Sequence, residues 1–390
     1  MPEAAKRVYR DIIVLFSASF AFLMGILPVM LLSKGLDVAQ LGLYFAIYSF
    51  SVFFLEVPTG AFADVYGRKN AILIAFLMET IFMSGFLIFD KGPVFAVFAV
   101  FAALADSFFS GSAEAHAVDI LKERKKSRYL HQLLASGKVY MFGTFLIGSA
   151  VGGYLATIDY SIPVLLCLAF AVIGSFYSFF KLREVKAKGS FAKAERSLVK
   201  KMKEAFRKSS RKLAVRMVYV IAVLFGIGTL GLFMLWQPAF VDLQGWDTSN
   251  LGFYFTLVSV CAIAGAKLSG RFRASRMTYG ISLLLLWLLL ALSGIFYLPL
   301  WAPVLVLAWQ VVLGFVQPME NTILNRNTSS EVRATVISIK GLAYRFGFGL
   351  AGITLYMIGS FAIGQVWIAT SFAFLVAAMV AFLSKARGNL

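Results

Sequence analysis

Residues 35–45 read Gly-Leu-Asp-Val-Ala-Gln-Leu-Gly-Leu-Tyr-Phe, and residues 245–255 read Gly-Trp-Asp-Thr-Ser-Asn-Leu-Gly-Phe-Tyr-Phe. The two stretches share G-x-D-x-x-x-L-G-x-Y-F at a constant offset of 210 residues. Met24 and Pro28 extend the match to Met234 and Pro238, giving eight identities without a gap. So long an ungapped match marks an internal repeat. The chain therefore reads as two related halves.

Each half consists mainly of apolar runs. Hydrophobic residues make up 60% of the chain and charged residues 14%, with 39 Phe. Soluble domains lie nearer half apolar and a quarter charged, so this balance belongs to a chain dissolved in lipid. About 20 apolar residues cross the hydrocarbon as a helix. The runs predict spans near 12–33, 39–62, 70–89, 93–119, 131–157, 161–181, 214–241, 249–270, 278–298, 301–325, 334–358 and 362–384. They are continuously apolar rather than alternating, which predicts helices and not a barrel. The expected fold is all-α and integral to the membrane, with twelve transmembrane helices in two six-helix halves. The first span is too long for a signal peptide, lacks a small-residue cleavage site, and is followed at once by another span.

A net charge of +18 would suit a nucleic-acid binder, but its distribution argues otherwise. With the N-terminus inside, the inner loops carry nearly all the Lys and Arg, whereas the outer loops carry only Lys34 and Lys91. An even number of spans returns the C-terminus, with Lys385 and Arg387, to the same side. This is the positive-inside pattern, so both termini are expected to be cytoplasmic. No nucleic-acid motif competes with it. Cys167 and Cys261 both fall within spans and read as small apolar residues, with neither a disulfide nor a metal site.

The domain organisation follows: an N-terminal bundle over 1–182, a basic linker over 183–212 and a C-terminal bundle over 213–390. In the linker, Leu198, Met202, Phe206 and Leu213 recur at helical spacing among Lys and Arg. The spacing predicts an amphipathic helix lying on an anionic membrane surface.

Between spans 2 and 3 stands Gly60-Ala-Phe-Ala-Asp64-Val-Tyr-Gly67-Arg68-Lys69. This resembles the G-x-x-x-D-x-x-G-R-K/R loop motif of the major facilitator superfamily. Span 4 contains Ser110-Gly111-Ser-Ala-Glu114-Ala, and Glu-Val-Pro-Thr-Gly at 56–60 and Arg-Ala-Thr-Val-Ile-Ser at 333–338 accompany it. Together they resemble a bacterial branch of that superfamily with many exporters of drugs or lipophilic metabolites. The resemblance implies alternating access, a substrate site near midplane between the halves, and a gating role for Gly60, Asp64, Gly67, Arg68 and Lys69. It also implies that Asp64 latches the N-terminus of the eleventh span and that Asp119 pairs with Arg68. Glu56, one turn before Gly60, can join the latch. Two positions depart from drug-exporting relatives: Ser107 replaces an Arg, and Gly148-Ser-Ala-Val-Gly152-Gly153 lacks the Pro of G-P-x-x-G-G. Gly143, Gly148, Gly152 and Gly153 give span 5 a face for close helix contact, with span 8 as partner by family analogy. Pro28 and Pro238 predict paired kinks in spans 1 and 7.

Ionisable groups at membrane depth cost several kcal/mol unless paired or hydrated, so each is a functional candidate. Asp106 lies near the middle of span 4 and is expected to bind a proton or a cationic substrate, or else to pair with Arg345 in span 11. Glu114 and Lys138 in the first half correspond to Glu320 and Lys340 in the second, predicting two ion pairs that form and loosen between access states. His116 is a candidate proton relay, or else a packed histidine, while Glu79 has no evident partner. Phe22, Phe233, Trp236, Trp309 and Phe315 are candidates for lining an apolar cavity.

The expected function is proton-coupled efflux of lipophilic or cationic small molecules. A proton-coupled symporter importing a small metabolite is the alternative. No nucleotide loop, metal-ligand set or nucleophile motif points to an enzyme. The expected energy source is the proton gradient, with no cofactor and no metal. The expected partners are a small-molecule substrate and membrane lipid, with a monomeric protein in the bacterial inner membrane.

Overall fold

The computed structural model describes residues 3–90, 92–123, 129–183, 191–329, 331–359 and 362–383. Lys91, residues 184–190 of the linker, Lys385 and Arg387 lie outside them. The apolar runs satisfy their backbone groups internally as helices, the form that lipid requires. Among the described residues there are fourteen α-helices and no strand. They are α1 (Glu3–Ala21), α2 (Leu27–Ser33), α3 (Val38–Tyr66), α4 (Arg68–Ile88), α5 (Phe95–Glu123), α6 (Leu130–Ala156) and α7 (Ser161–Lys181). After these come α8 (Phe191–Ser209), α9 (Leu213–Gln244), α10 (Thr248–Ser269), α11 (Arg276–Ile295), α12 (Trp301–Asn327), α13 (Arg333–Ile358) and α14 (Ile363–Leu383).

Eleven of these helices are long and apolar enough to cross a membrane. The remaining predicted span, 12–33, is divided between α1 and α2. From Ala21 to Ile26 the chain runs in short turns, with Leu23 N–H donating to Phe20 O and Ile26 N–H to Leu23 O, each at 3.0 Å. Pro28 sits in the first turn of α2, where a missing N–H costs nothing, so the helix restarts there rather than bending through it. Pro238 instead lies inside α9, which is helical throughout Leu213–Gln244. The equivalent prolines thus do different things: one restarts a helix and one is carried within it.

The helices sort into two units. The first holds Met1–Leu36, Ser51–Val199 and Asp247–Thr256. In it α1 packs on α5, α6 and α7, and α4 packs on α5 and α7. Tyr9, Ile12, Ile72, Phe76, Phe109 and Leu133 form part of its core. The second unit holds Asp37–Phe50, Lys200–Trp246 and Leu257–Leu390. There α9 packs on α12, α13 and α14, and α11 packs on α12 and α14. The partnerships are the same in both units, helix for helix, so the repeat seen in eight residues extends to packing. Many large apolar side chains point outward, among them Phe54 and Phe180 at 68% and 69% exposed. Such faces suit lipid rather than water.

The repeated motif is a pair of helix stops and starts. Gly35 and Gly245 adopt φ of 88° and 63°, where a Cβ would be strained. Two residues on, Asp37 Oδ1 accepts the Gln40 N–H at 2.7 Å, and Asp247 Oδ1 accepts the Asn250 N–H at 2.9 Å. Each aspartate caps the helix that follows. The Ser249 hydroxyl and the Asn250 amide hold the Asp247 carboxyl below its ordinary value. The next glycines permit backbone contact. Gly42 meets Gly352 of α13 in the second unit, and Gly252 meets Gly153 of α6 and Gly25 in the first.

In α8, Ala205 is buried, Phe206 stacks on Tyr219 at 5.5 Å, and the Ser209 and Tyr219 hydroxyls lie 2.9 Å apart. Leu198 reaches toward Gly60. Part of its apolar stripe is thus covered by protein.

Candidate functional site

The motif at 60–69 covers the end of α3, the turn, and the start of α4. Gly67 makes the turn with φ 97° and ψ 153°, a region that essentially only glycine occupies. Gly67→Ala should therefore lower stability by about 1–3 kcal/mol, read as a drop in the melting temperature of the detergent-purified protein. An unchanged melting temperature would show that the turn relaxes.

Past the turn, Arg68 returns to both flanking helices. Its Nη2 donates to Asp64 Oδ1 at 2.7 Å, and its Nε lies 3.8 Å from Asp119 Oδ2 in α5. Both carboxylates are partly solvated, so the contacts contribute little net stability, roughly 0–1 kcal/mol each. What they fix is the register of α3, α4 and α5 at this end. Lys69 extends the clamp to α7, lying 5.6 Å from the centre of the Phe179 ring. His116 is 2% exposed, lies in the field of Asp119 and Arg68, and has no hydrogen-bond partner at Nδ1.

One turn further along α3 lies a contact that the sequence did not reveal. The buried Thr59 hydroxyl is shared between its own Leu55 carbonyl at 2.9 Å and the Ser107 carbonyl of α5 at 3.1 Å. It joins two helices at Glu56-Val-Pro-Thr-Gly60, where Glu56 itself is half-buried. A cross-helix bond to the Ser107 backbone carbonyl is invisible in a residue list.

Asp106 precedes that residue and is half-buried in the middle of α5. Within electrostatic range of it is Glu79 of α4, which is 5% exposed. Glu114 and Lys138 are not joined. Both are exposed, and no ion pair connects them; the neighbour of Glu114 is Tyr9. The pair expected in the first half is not formed in this structure.

In the second unit the corresponding groups meet. Lys340 Nζ lies 2.7 Å from Glu320 Oε2, and the Tyr279 hydroxyl donates to Glu320 Oε1 at 3.3 Å. Lys340 also reaches Asn321 Oδ1 at 3.4 Å. Tyr279 comes from α11, which packs on α12 as α4 packs on α5. Arg345 is half-buried in α13, with its guanidinium 5.3 Å from the centre of the Tyr48 ring.

The aromatic candidates scatter. Phe22 stacks on Phe170 at 5.9 Å, and Phe315 lies edge-on to Phe272 at 5.3 Å. Phe233 is 47% exposed and touches Phe45 and Phe348. Trp236 is buried and edge-on to Phe240. Trp309 is 2% exposed and packs on Phe374, which makes it a core residue and corrects its place in a cavity wall.

The glycine face of α6 seats the break in the first span. A Cβ at Gly148 would stand on Ala21, and one at Gly152 on the carbonyl of Phe22. Gly153 faces Gly252 of α10, while Gly143 has nothing within 4 Å.

Comparison with known proteins places this geometry. An uncharacterized MFS-type transporter of Bacillus subtilis (strain 168), YxaM, is 27% identical over 264 residues, covering 66% of this chain and 65% of that relative's length. Multidrug resistance protein 1 of the same strain is 24% identical over 316 residues, covering 78% of this chain and 77% of its own. The crystal structure of the nucleoside transporter NupG superposes with a TM-score of 0.78 at 14% identity, over 99% of this chain and 100% of that one. The family model described as Major Facilitator Superfamily matches residues 12–352. With its helices, repeat and loop motif alike, this multi-pass membrane protein is a transporter rather than an enzyme, and it belongs to the Major Facilitator Superfamily.

Proposed function

We propose that the chain exports lipophilic or cationic small molecules in exchange for protons, by alternating access. The observation that carries this reading is an acid at mid-helix, Asp106, in a chain whose relatives include a multidrug resistance protein over most of its length. In this reading a cationic substrate and a proton compete for one carboxylate, which is the simplest physical basis of exchange. The Arg68 clamp holds one end of the first bundle, and the Glu320–Lys340 pair loosens as access changes. The distribution of Lys and Arg supports a bacterial inner-membrane protein with both termini on the cytoplasmic side. The protein works as a monomer, driven by the proton gradient, with no bound cofactor.

A second reading, a proton-coupled importer of a small metabolite, is favoured by Ser149. It stands where exporters of this branch carry the Pro of span 5, and its hydroxyl bonds the Leu146 carbonyl within a continuous α6.

Proteoliposomes with an imposed pH difference separate the two. Accumulation of tetraphenylphosphonium against proton flow supports export, and joint entry of protons with a nucleoside or sugar supports import. Asp106→Asn should lower pH-driven accumulation at least about tenfold while leaving the melting temperature unchanged. Normal accumulation by this variant would remove Asp106 from the coupling step.

A further inference from the structure

Among the described residues two acids are buried within the helix bundles, and they are treated differently. Glu320 is 8% exposed and has an ammonium at 2.7 Å and a tyrosine hydroxyl at 3.3 Å. Glu79 is 5% exposed, and its Oε1 is buried with no hydrogen-bond partner. Around it on α4 stand Phe76, Phe82 and Met83, all fully buried. The titratable groups facing Glu79 come from the two helices packed on α4: Asp106 from α5 and Cys167 from α7. Neither is a cation. The interface is also tight, since a Cβ at Gly174 of α7 would stand on the Phe76 ring.

A buried carboxyl oxygen with no donor is costly at membrane depth. Glu79 and Asp106 lie at one level of the α4–α5 pair, three residues from Phe76 and Phe109 respectively, whose rings meet at 6.2 Å. Asp106 is the more solvated of the two, and Glu79 is enclosed. Beyond Cys167 lies the backbone of Phe22 and Leu23, at the break in the first span. Broken helices at membrane depth recur where transporters hold ions or substrate. The acid pair and the break therefore occupy one region of the first unit.

We propose that Glu79 and Asp106 hold one proton between them, and that its passage from the Glu79 carboxyl through Asp106 to water is the step that couples proton flow to transport. The coupling role rests on the proton-coupled reading above. The shared proton does not.

The infrared spectrum of the purified protein tests the shared proton directly. At neutral pH the wild type should show the carbonyl band of a protonated carboxyl, shifted in heavy water and absent from Glu79→Gln. A spectrum without that band, or a band that survives Glu79→Gln, would overturn the proposal. If Glu79→Gln does not fold, Glu79→Asp keeps an acid with a shorter reach and should move the band; an unmoved band overturns the proposal equally. For coupling, Glu79→Gln should exchange tetraphenylphosphonium across proteoliposomes at the wild-type rate, yet lose pH-driven accumulation by at least about tenfold. Wild-type accumulation by this variant would refute the coupling role. If the wild type itself moves no protons with any substrate, the transport reading fails and the coupling role with it. The infrared band then still decides whether the pair carries a proton.

Discussion

Gly152→Val should yield almost no folded protein, whereas Gly143→Val, about two and a half turns away on the same helix, should fold normally. At Gly152 the first atom of any side chain would stand on the carbonyl oxygen of Phe22, which belongs to the backbone of the broken first span. A flexible side chain can yield to such an intrusion, but this backbone is fixed between α6 and α7. Overpacking a tight core costs about 1–3 kcal/mol and more where backbone must move, against a total stability of roughly 5–15 kcal/mol. At Gly143 nothing lies within 4 Å, so valine there meets open space. Fluorescent size-exclusion profiles of the two variants give the comparison. Equal monodisperse yields would mean that the break and the glycine face do not depend on each other.

The next largest effect is expected at Lys340. Lys340→Met leaves Glu320 buried with a single hydroxyl donor and should destabilise by about 3 kcal/mol, because the cost lies in the uncompensated charge. Adding Glu320→Gln removes that charge and should restore most of the loss. The coupling measured by this double-mutant cycle is the test, and additive losses would show that the two groups do not depend on each other. Lys138→Met, at the corresponding place in the first half, should stay within about 0.5 kcal/mol of wild type, since Lys138 is exposed and makes no ion pair among the described residues.

That contrast shows where sequence reading stops. The offset between Glu114 and Glu320 is legible, and so is the lysine that follows each. Whether they meet depends on packing that spacing does not give: Glu320 meets Lys340 and Tyr279, whereas Glu114 and Lys138 are exposed. Helix rotation has the same effect at Trp309, which a list of span residues puts beside a cavity and packing puts in the core. It also hides Glu79: periodicity shows an acid in span 3, but only the packing of α4 on α5 brings it near Asp106. The elements written in backbone chemistry were far more legible. Gly35-x-Asp37 and Gly245-x-Asp247 announce a helix stop followed by a cap, and the glycines of span 5 announce close approach. Pro28 announces a disturbance, but not that the disturbance is a complete interruption lying upstream of it.

The interruption of the first span bears on how the protein is made. α1 and α2 leave the ribosome before the other described helices, and among the described residues they form the one predicted crossing that no single long apolar helix provides. α1 carries Lys6, Arg7, Arg10 and Asp11, and the chain after Ala21 is held by short turns instead of a continuous helix. The surface that shields those turns, α6, is synthesised more than a hundred residues later. A nascent chain ending before Leu130 would therefore leave its first crossing without a shield. Lasting residence of that crossing in the bilayer becomes a late event, completed when Gly148 and Gly152 arrive and close over Ala21 and Phe22.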